Sequence, residues 1–182
     1  LAKKIPATIK PKHYYMGMTI LYLGESFKVT STNKGNTKID FQHKLIYVHE
    51  KNHTSELIKS QLMKVYRQHF IQLLSEEIAI YQPYYRVEIN TVRIKKLKSR
   101  WGSCSSLGNL NFNLNLMMAP RPIIAYVVVH EMCHLMHMNH SKSFWDAVAL
   151  KVPDWKRYRS WLRTYGHLLN FDYDIILGEQ KC

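Results

Sequence analysis

Cysteine is scarce in this chain. Its three cysteines in 182 residues, Cys104, Cys133 and Cys182, form no paired framework, so a disulfide-stapled secreted scaffold is excluded. Long apolar runs are missing too. None approaches the roughly 18 residues that a membrane span needs. The lysines at Lys3 and Lys4 have no apolar stretch behind them, so no signal peptide is expected. A soluble, cytoplasmic protein with no membrane contact follows as the expectation. Repeats and low-complexity tracts are also missing, which removes solenoids. Acidic residues are half as numerous as basic ones, 13 against 26, for a net charge of +13. That balance favours an acidic partner, with nucleic acid the first candidate.

What is present is an ordinary globular composition, 46% apolar and 21% charged, long enough for a core without staples. Residues 14–50 read as an antiparallel β segment. In it, 19–23 and 27–30 flank a hairpin loop at Gly24-Glu25-Ser26, and 39–48 forms a further strand. Thr54 or Ser55 caps a helix whose apolar residues, Leu57 to Leu74, recur at helical spacing until Pro83. A strand over 87–92 precedes the basic residues Arg93, Lys95, Lys96, Lys98 and Arg100. Residues 109–116 alternate asparagine with Leu110, Phe112, Leu114 and Leu116, the period of a half-buried strand. Pro120 and Pro122 open an apolar helix reaching His137. A shorter helix starts near Ser141 and stops before Pro153. Asp154 caps a last one that ends near Gly166. Partly segregated strands and helices predict an α+β fold. The expected organisation is one domain over 1–182, with 1–53 β-rich and about 54–170 catalytic.

The chemistry centres on His130-Glu131-Met132-Cys133-His134. Residues i and i+4 of an α-helix differ by about 40° in direction and about 6 Å in rise. Both imidazoles can therefore share one Zn²⁺. Glu131 flanks that face, positioned to hold a metal-bound water and take its proton. Two histidines and a glutamate inside an otherwise apolar helix also need a partner, because burying them bare costs several kcal/mol.

A catalytic zinc needs a third protein ligand. His137 shares the helix face but lies about 10.5 Å along the axis from His130. His140 would be about 15 Å away on a continued helix. It converges only if the helix breaks after His137 and the chain turns back, with Asn139 as a left-handed pivot. The spacing H-E-x-x-H-x-x-x-x-x-H equals that of metzincins, with His137 where they carry glycine. His140 is the favoured third ligand. His137, Asp146 and Asp154 are the alternatives.

Taken together, Arg100-Trp101-Gly102-Ser103-Cys104-Ser105, the alternating strand, Pro120, Tyr126 to His134, Asn139-His140-Ser141 and Phe144-Trp145 resemble the YgjP-like metal-dependent hydrolases. These are related to the SprT-like and WLM zinc peptidases. The specific match covers about residues 98–165. The resemblance implies a zincin-like fold, with a mixed sheet whose edge strand lies beside the active-site helix, and a zinc peptidase site. It carries over His130, His134 and His140 as ligands of one Zn²⁺ and Glu131 as catalytic base. A peptide or protein substrate is expected, bound as an added strand along 109–116. Solvated asparagines on a sheet face are the plainer reading of that strand. Tyr126, Tyr165 and Arg100 are oxyanion candidates by residue type.

Other residues read more plainly. Cys133 is a core residue, and Cys104 belongs to a turn packed near the site. Trp145, Trp155 and Trp161 are core, as is the Met117-Met118 pair. Lys156, Arg157, Arg159 and Arg163, with Tyr158 and Trp161 between them, form either a solvated face or a nucleic-acid surface. A basic nucleic-acid-binding or DNA-associated protein built on the zinc fold is the rival to the peptidase. Glu131 discriminates the two, since a purely structural zinc site has no use for a base.

Overall fold

The computed structural model describes residues 7–33, 35–49 and 54–177. Among these residues, three sheets and four α-helices make up an α+β architecture, as expected. Strand β1 (Ala7–Pro11) pairs antiparallel with β9 (Tyr173–Leu177), tying the two ends of the described chain together.

The β-rich part forms a four-stranded sheet from β2 (Thr19–Tyr22), β3 (Glu25–Thr32), β4 (Lys38–Asp40) and β5 (Leu45–His49), in the order β2-β3-β5-β4. Its central pair, β3 and β5, is parallel, a feature absent from the antiparallel reading of residues 14–50. The strand expected over 39–48 is split, because the Asp40 carboxylate accepts from the His43 amide at 3.0 Å and closes a turn. The hairpin loop lies one residue earlier than expected. Leu23 and Gly24 are its two central residues, at φ +50° and +82°, the pattern whose twist matches antiparallel strands. This turn docks on the chain leading to the helix that carries His130. The Leu23 and Gly24 amides donate to the Met117 and Met118 carbonyls at 2.8 and 3.0 Å. A Cβ on Gly24 would meet the Pro120 ring at 2.7 Å.

Helix α1 (Ser55–Tyr81) starts where the Thr54 hydroxyl accepts from the Leu57 amide. Its buried face, including Ile58, Leu62, Tyr66, Phe70 and Leu74, packs into one apolar cluster with the β-rich sheet and the later helices. Glu77, buried on α1, accepts from Arg121 Nε at 2.7 Å. Arg121 opens helix α2 (Arg121–Cys133), so this contact pins the start of the helix that carries the histidines. Helices α3 (Lys142–Lys151) and α4 (Trp155–Tyr165) follow. Ser141 caps α3, its hydroxyl accepting from the Phe144 amide. Asp154 stands at the start of α4 but its side chain makes no capping bond. No helix among the described residues is long and apolar enough to cross a membrane.

The third sheet holds β6 (Thr91–Lys95), β7 (Gly102–Cys104) and β8 (Asn109–Asn113), in the order β6-β8-β7. Strand β6 begins four residues later than expected. It pairs on one side only and exposes Val92, so apolar residues do not mark its span. Strand β8 ends at Asn113, and a 3-10 helix over Leu114–Met118 replaces the rest of the expected strand. Asn113 is the cause. Its side-chain oxygen accepts from the Asn115 amide, and its Nδ2 donates to the carbonyls of Leu97 and Arg100 at 2.8 and 3.1 Å. The expected substrate strand along 109–116 is therefore corrected. β8 is the central strand, paired to β6 and β7, and has no open edge. Its other asparagines hold neighbouring segments, Asn109 to Thr91 of β6 and to Ser105 just after β7, and Asn111 to Ser103 of β7. The edge strand beside α2 is β7.

Candidate metal centre and active site

Helix α2 carries His130 and stops at Cys133, with His134, one turn further on, as its C-cap. The chain then tightens through three successive turns, with the amides of His134, Leu135 and Met136 donating to carbonyls three residues back. The break thus comes four residues before the expected one. Asn139 is not in the left-handed region, so the return of the chain rests on this tightened turn.

The turn brings His140 back over the helix. Its Nε2 lies 3.2 Å from His130 Nε2. One ligand atom each from His130, His134 and His140 falls within a common span of 4.8 Å. Two imidazole nitrogens on one tetrahedral ion, at about 2.0–2.1 Å each, stand a little over 3 Å apart. The spacing fits. The protonation pattern fits too. His134 Nδ1 lies 2.9 Å from the His137 carbonyl. Donation there leaves the lone pair of Nε2 facing the cluster. Burial and the neighbouring His134, His140 and Arg159 push His130 down to about 3, and burial also lowers His140. Neutral imidazoles are the form that ligates. The three residues can hold a divalent ion.

His137 takes part through its backbone carbonyl. Among the described residues, the cluster excludes the alternative ligands. Asp146 is exposed and paired to Lys142 at 2.7 Å, and Asp154 is exposed at the start of α4.

Helix α3 supplies the floor. Phe144 is fully buried and stacks on His134 at 4.6 Å between ring centres. Trp145, expected as core, is half-buried and stacks on His140 at 5.6 Å, with Trp155 behind it at 4.2 Å. These rings hold His140, the most exposed of the three imidazoles.

Glu131 is 6% exposed and lines the same cavity, of about 540 Å³, as the three histidines. Burial pushes its carboxyl up to about 8, against the opposing pull of Arg100. The edge strand β7 lies directly over it. A Cβ on Gly102 would sit 2.6 Å from Glu131 Oε1. Gly102 was legible only as part of the Trp-Gly-Ser-Cys stretch. Nothing in composition or periodicity marks a glycine needed for close approach.

Of the oxyanion candidates, Tyr126 and Arg100 line the cavity. Tyr126 is buried beside His130, its phenol pushed up to about 12 by burial, so it keeps its proton. Tyr165 is exposed and packs on Trp161, away from the cavity lining. Cys104 lines the cavity as a protonated thiol, raised to about 11 by burial and by Glu131. Cys133 is buried against the Tyr85 hydroxyl at 3.3 Å, a core residue as expected. Arg159 and Arg163, weighed in sequence only as part of a basic helix face, line the cavity as well.

A family model described as the YgjP-like metallopeptidase domain matches residues 1–165. Among solved structures, the chain is similar to the metallopeptidase zymogen abylysin of Pyrococcus abyssi, at 26% identity and a TM-score of 0.42. That match covers 53% of this chain and 92% of the other. No curated protein matches the chain.

Proposed function

The chain belongs to the YgjP-like metallopeptidase family, and from that premise we propose that it is a zinc-dependent peptidase in which Glu131 is the general base. The observation that carries this is the three-imidazole cluster of His130, His134 and His140 with a buried carboxyl beside it in one open cavity. Three imidazole nitrogen donors beside an open cavity suit zinc in a catalytic site. A bound zinc would supply Lewis acidity to a water and to the substrate carbonyl.

The chain's own groups do the rest. Glu131 takes the proton of the attacking water on its carboxylate and returns it to the leaving amine. Burial favours its protonated form, whereas a divalent ion beside it would favour the carboxylate that accepts the proton. Tyr126 and Arg100 are the donors available to the developing oxyanion.

The substrate backbone lies along β7. Trp101 accepts from Asn113 and Ser105 donates to Asn109 within the sheet. Backbone groups alternate in an antiparallel ladder, so those of Gly102 and Cys104 point to the open edge. An extended peptide added there passes over Glu131.

The test is bound metal and cleavage in parallel. Elemental analysis is expected to find one zinc per chain in wild type and in Glu131→Gln, and none in His140→Ala. Cleavage of unfolded protein substrates is expected from wild type alone. A metal-free wild type, or a Glu131→Gln protein that still cleaves, would overturn the assignment.

A further inference from the structure

The cavity has one sign of charge at its rim. Arg159 and Arg163 project into it from α4, and Arg100 enters from the residue pair ahead of β7. Residues four apart share one helix face, so the two α4 arginines act from one side. All three are exposed. Among the described residues, no ion pair involves any of them, whereas Arg121 is paired to Glu76 and Glu77, and Lys96 to Asp172. Among the described residues, the only acidic side chain lining the cavity is Glu131, which is buried.

Arg159 is also held in place. Its guanidinium lies 4.9 Å over the Trp145 ring, and the same indole stacks on His140. A planar cation resting on an aromatic face keeps its fork of donors in a defined direction. That rest sits next to the metal-ligand cluster. The rim therefore offers unpaired guanidinium groups beside the reaction centre, with that of Arg159 preset on an indole. A guanidinium fork fits a carboxylate with two parallel hydrogen bonds.

We infer, resting on the peptidase function proposed above, that the cleft selects substrates placing a carboxylate beside the scissile bond, held by Arg159 and Arg163 from α4. The carboxylate comes from an Asp or Glu side chain or from the substrate's own C-terminus. Charge steering into the cleft raises capture of such peptides and weakens with salt.

The experiment compares matched peptides that differ only at residues flanking the cleaved bond. C-terminally amidated peptides carry Glu, Gln or Lys there, and a neutral peptide keeps a free C-terminus. The expected result is a kcat/KM about tenfold higher for Glu than for Gln, the size of one good charge-assisted contact. It arises mainly in KM and shrinks as salt rises. Arg159→Glu is expected to invert the order, so that the Lys peptide leads. An advantage confined to the free C-terminus assigns the carboxylate to the chain end. Equal rates for Glu and Gln peptides with no advantage for the free C-terminus either, or an order unchanged in both Arg159→Glu and Arg163→Glu, overturn the inference and leave the peptidase intact. Thermal melts establish that each variant is folded, and the second variant stands in if the first is not.

If no peptide is cleaved, the peptidase assignment fails, and binding decides the inference separately. Fluorescence anisotropy on Glu131→Gln with labelled Glu and Gln peptides needs no turnover. Tighter, salt-sensitive binding of the Glu peptide sustains it, and equal binding overturns it. So does binding of a single-stranded oligothymidine in place of the Glu peptide, which would assign the arginines to a phosphate backbone.

Discussion

Gly102 and Glu131 are in such close contact that no side chain fits between them. A Cβ on Gly102 would lie 2.6 Å from Glu131 Oε1 and 2.8 Å from Cδ. The edge strand and the candidate base are thus positioned by each other. Gly102→Ala must displace Glu131, because β7 is tied to β8 by its ladder. The expected result is a fall in kcat of at least about 100-fold, as for loss of a general base, with zinc content unchanged. Overpacking of this kind also costs about 1–3 kcal/mol of stability. Steady-state kinetics, elemental analysis and a denaturant melt on one preparation check all three.

The metal-free protein should show a pH dependence set by the same carboxyl. Glu131 is raised from its ordinary value to about 8, chiefly by burial. The folded state therefore holds this proton more tightly than the unfolded chain. Its contribution is full below the ordinary glutamate range and is lost as pH rises through about 8. The slope reaches about 1.4 kcal/mol per pH unit at most. Glu131→Gln should flatten it. Urea melts of chelator-treated protein at several pH values between 5 and 8 test this, and equal slopes in both proteins would disprove it.

His130 acts in the opposite direction. It is lowered to about 3 by burial and by its neighbours His134, His140 and Arg159, and its buried Nδ1 has no hydrogen-bond partner. Its contribution is present above the ordinary histidine range and is lost as pH falls through about 3. Acid unfolding of the metal-free protein should therefore shift to lower pH in His130→Gln, read by circular dichroism against pH.

Metal should stabilise the wild type by mass action. At free zinc a thousandfold above Kd the gain is about 4 kcal/mol. His140→Ala removes the ligand on the return turn and should lose most of that gain, with little change in the chelator-treated melt. The difference between melts with zinc and with chelator is the measurement.

Gly24→Ala probes the link between the β-rich part and the active-site helix. Gly24 has φ +82°, and an added Cβ would meet Pro120 at 2.7–3.0 Å. Strain and clash together should cost at least about 1–3 kcal/mol. Because Pro120 immediately precedes α2, metal affinity should fall along with stability. A loss of stability with zinc affinity unchanged would show that the hairpin supports the fold alone.

Local chemistry was readable from the chain itself. The i, i+4 histidines, the adjacent glutamate, the caps at Thr54 and Ser141 and the apolar periodicity of α1 are short-range patterns, and backbone geometry turns them directly into structure. So was the α+β class, and the histidine favoured as third ligand, His140, falls in the cluster that could hold a metal. Three things needed tertiary structure, because each depends on contacts between segments distant in sequence. Strand order made β7, not β8, the open edge, since period-two alternation reports a buried face and says nothing about which side is paired. The helix ended at Cys133 because the following amides turned to carbonyls three residues back and the rings of α3 received His140. Gly102 and the arginines of α4 became part of the site only when a strand edge and a later helix closed over α2, a convergence that no spacing along the chain encodes.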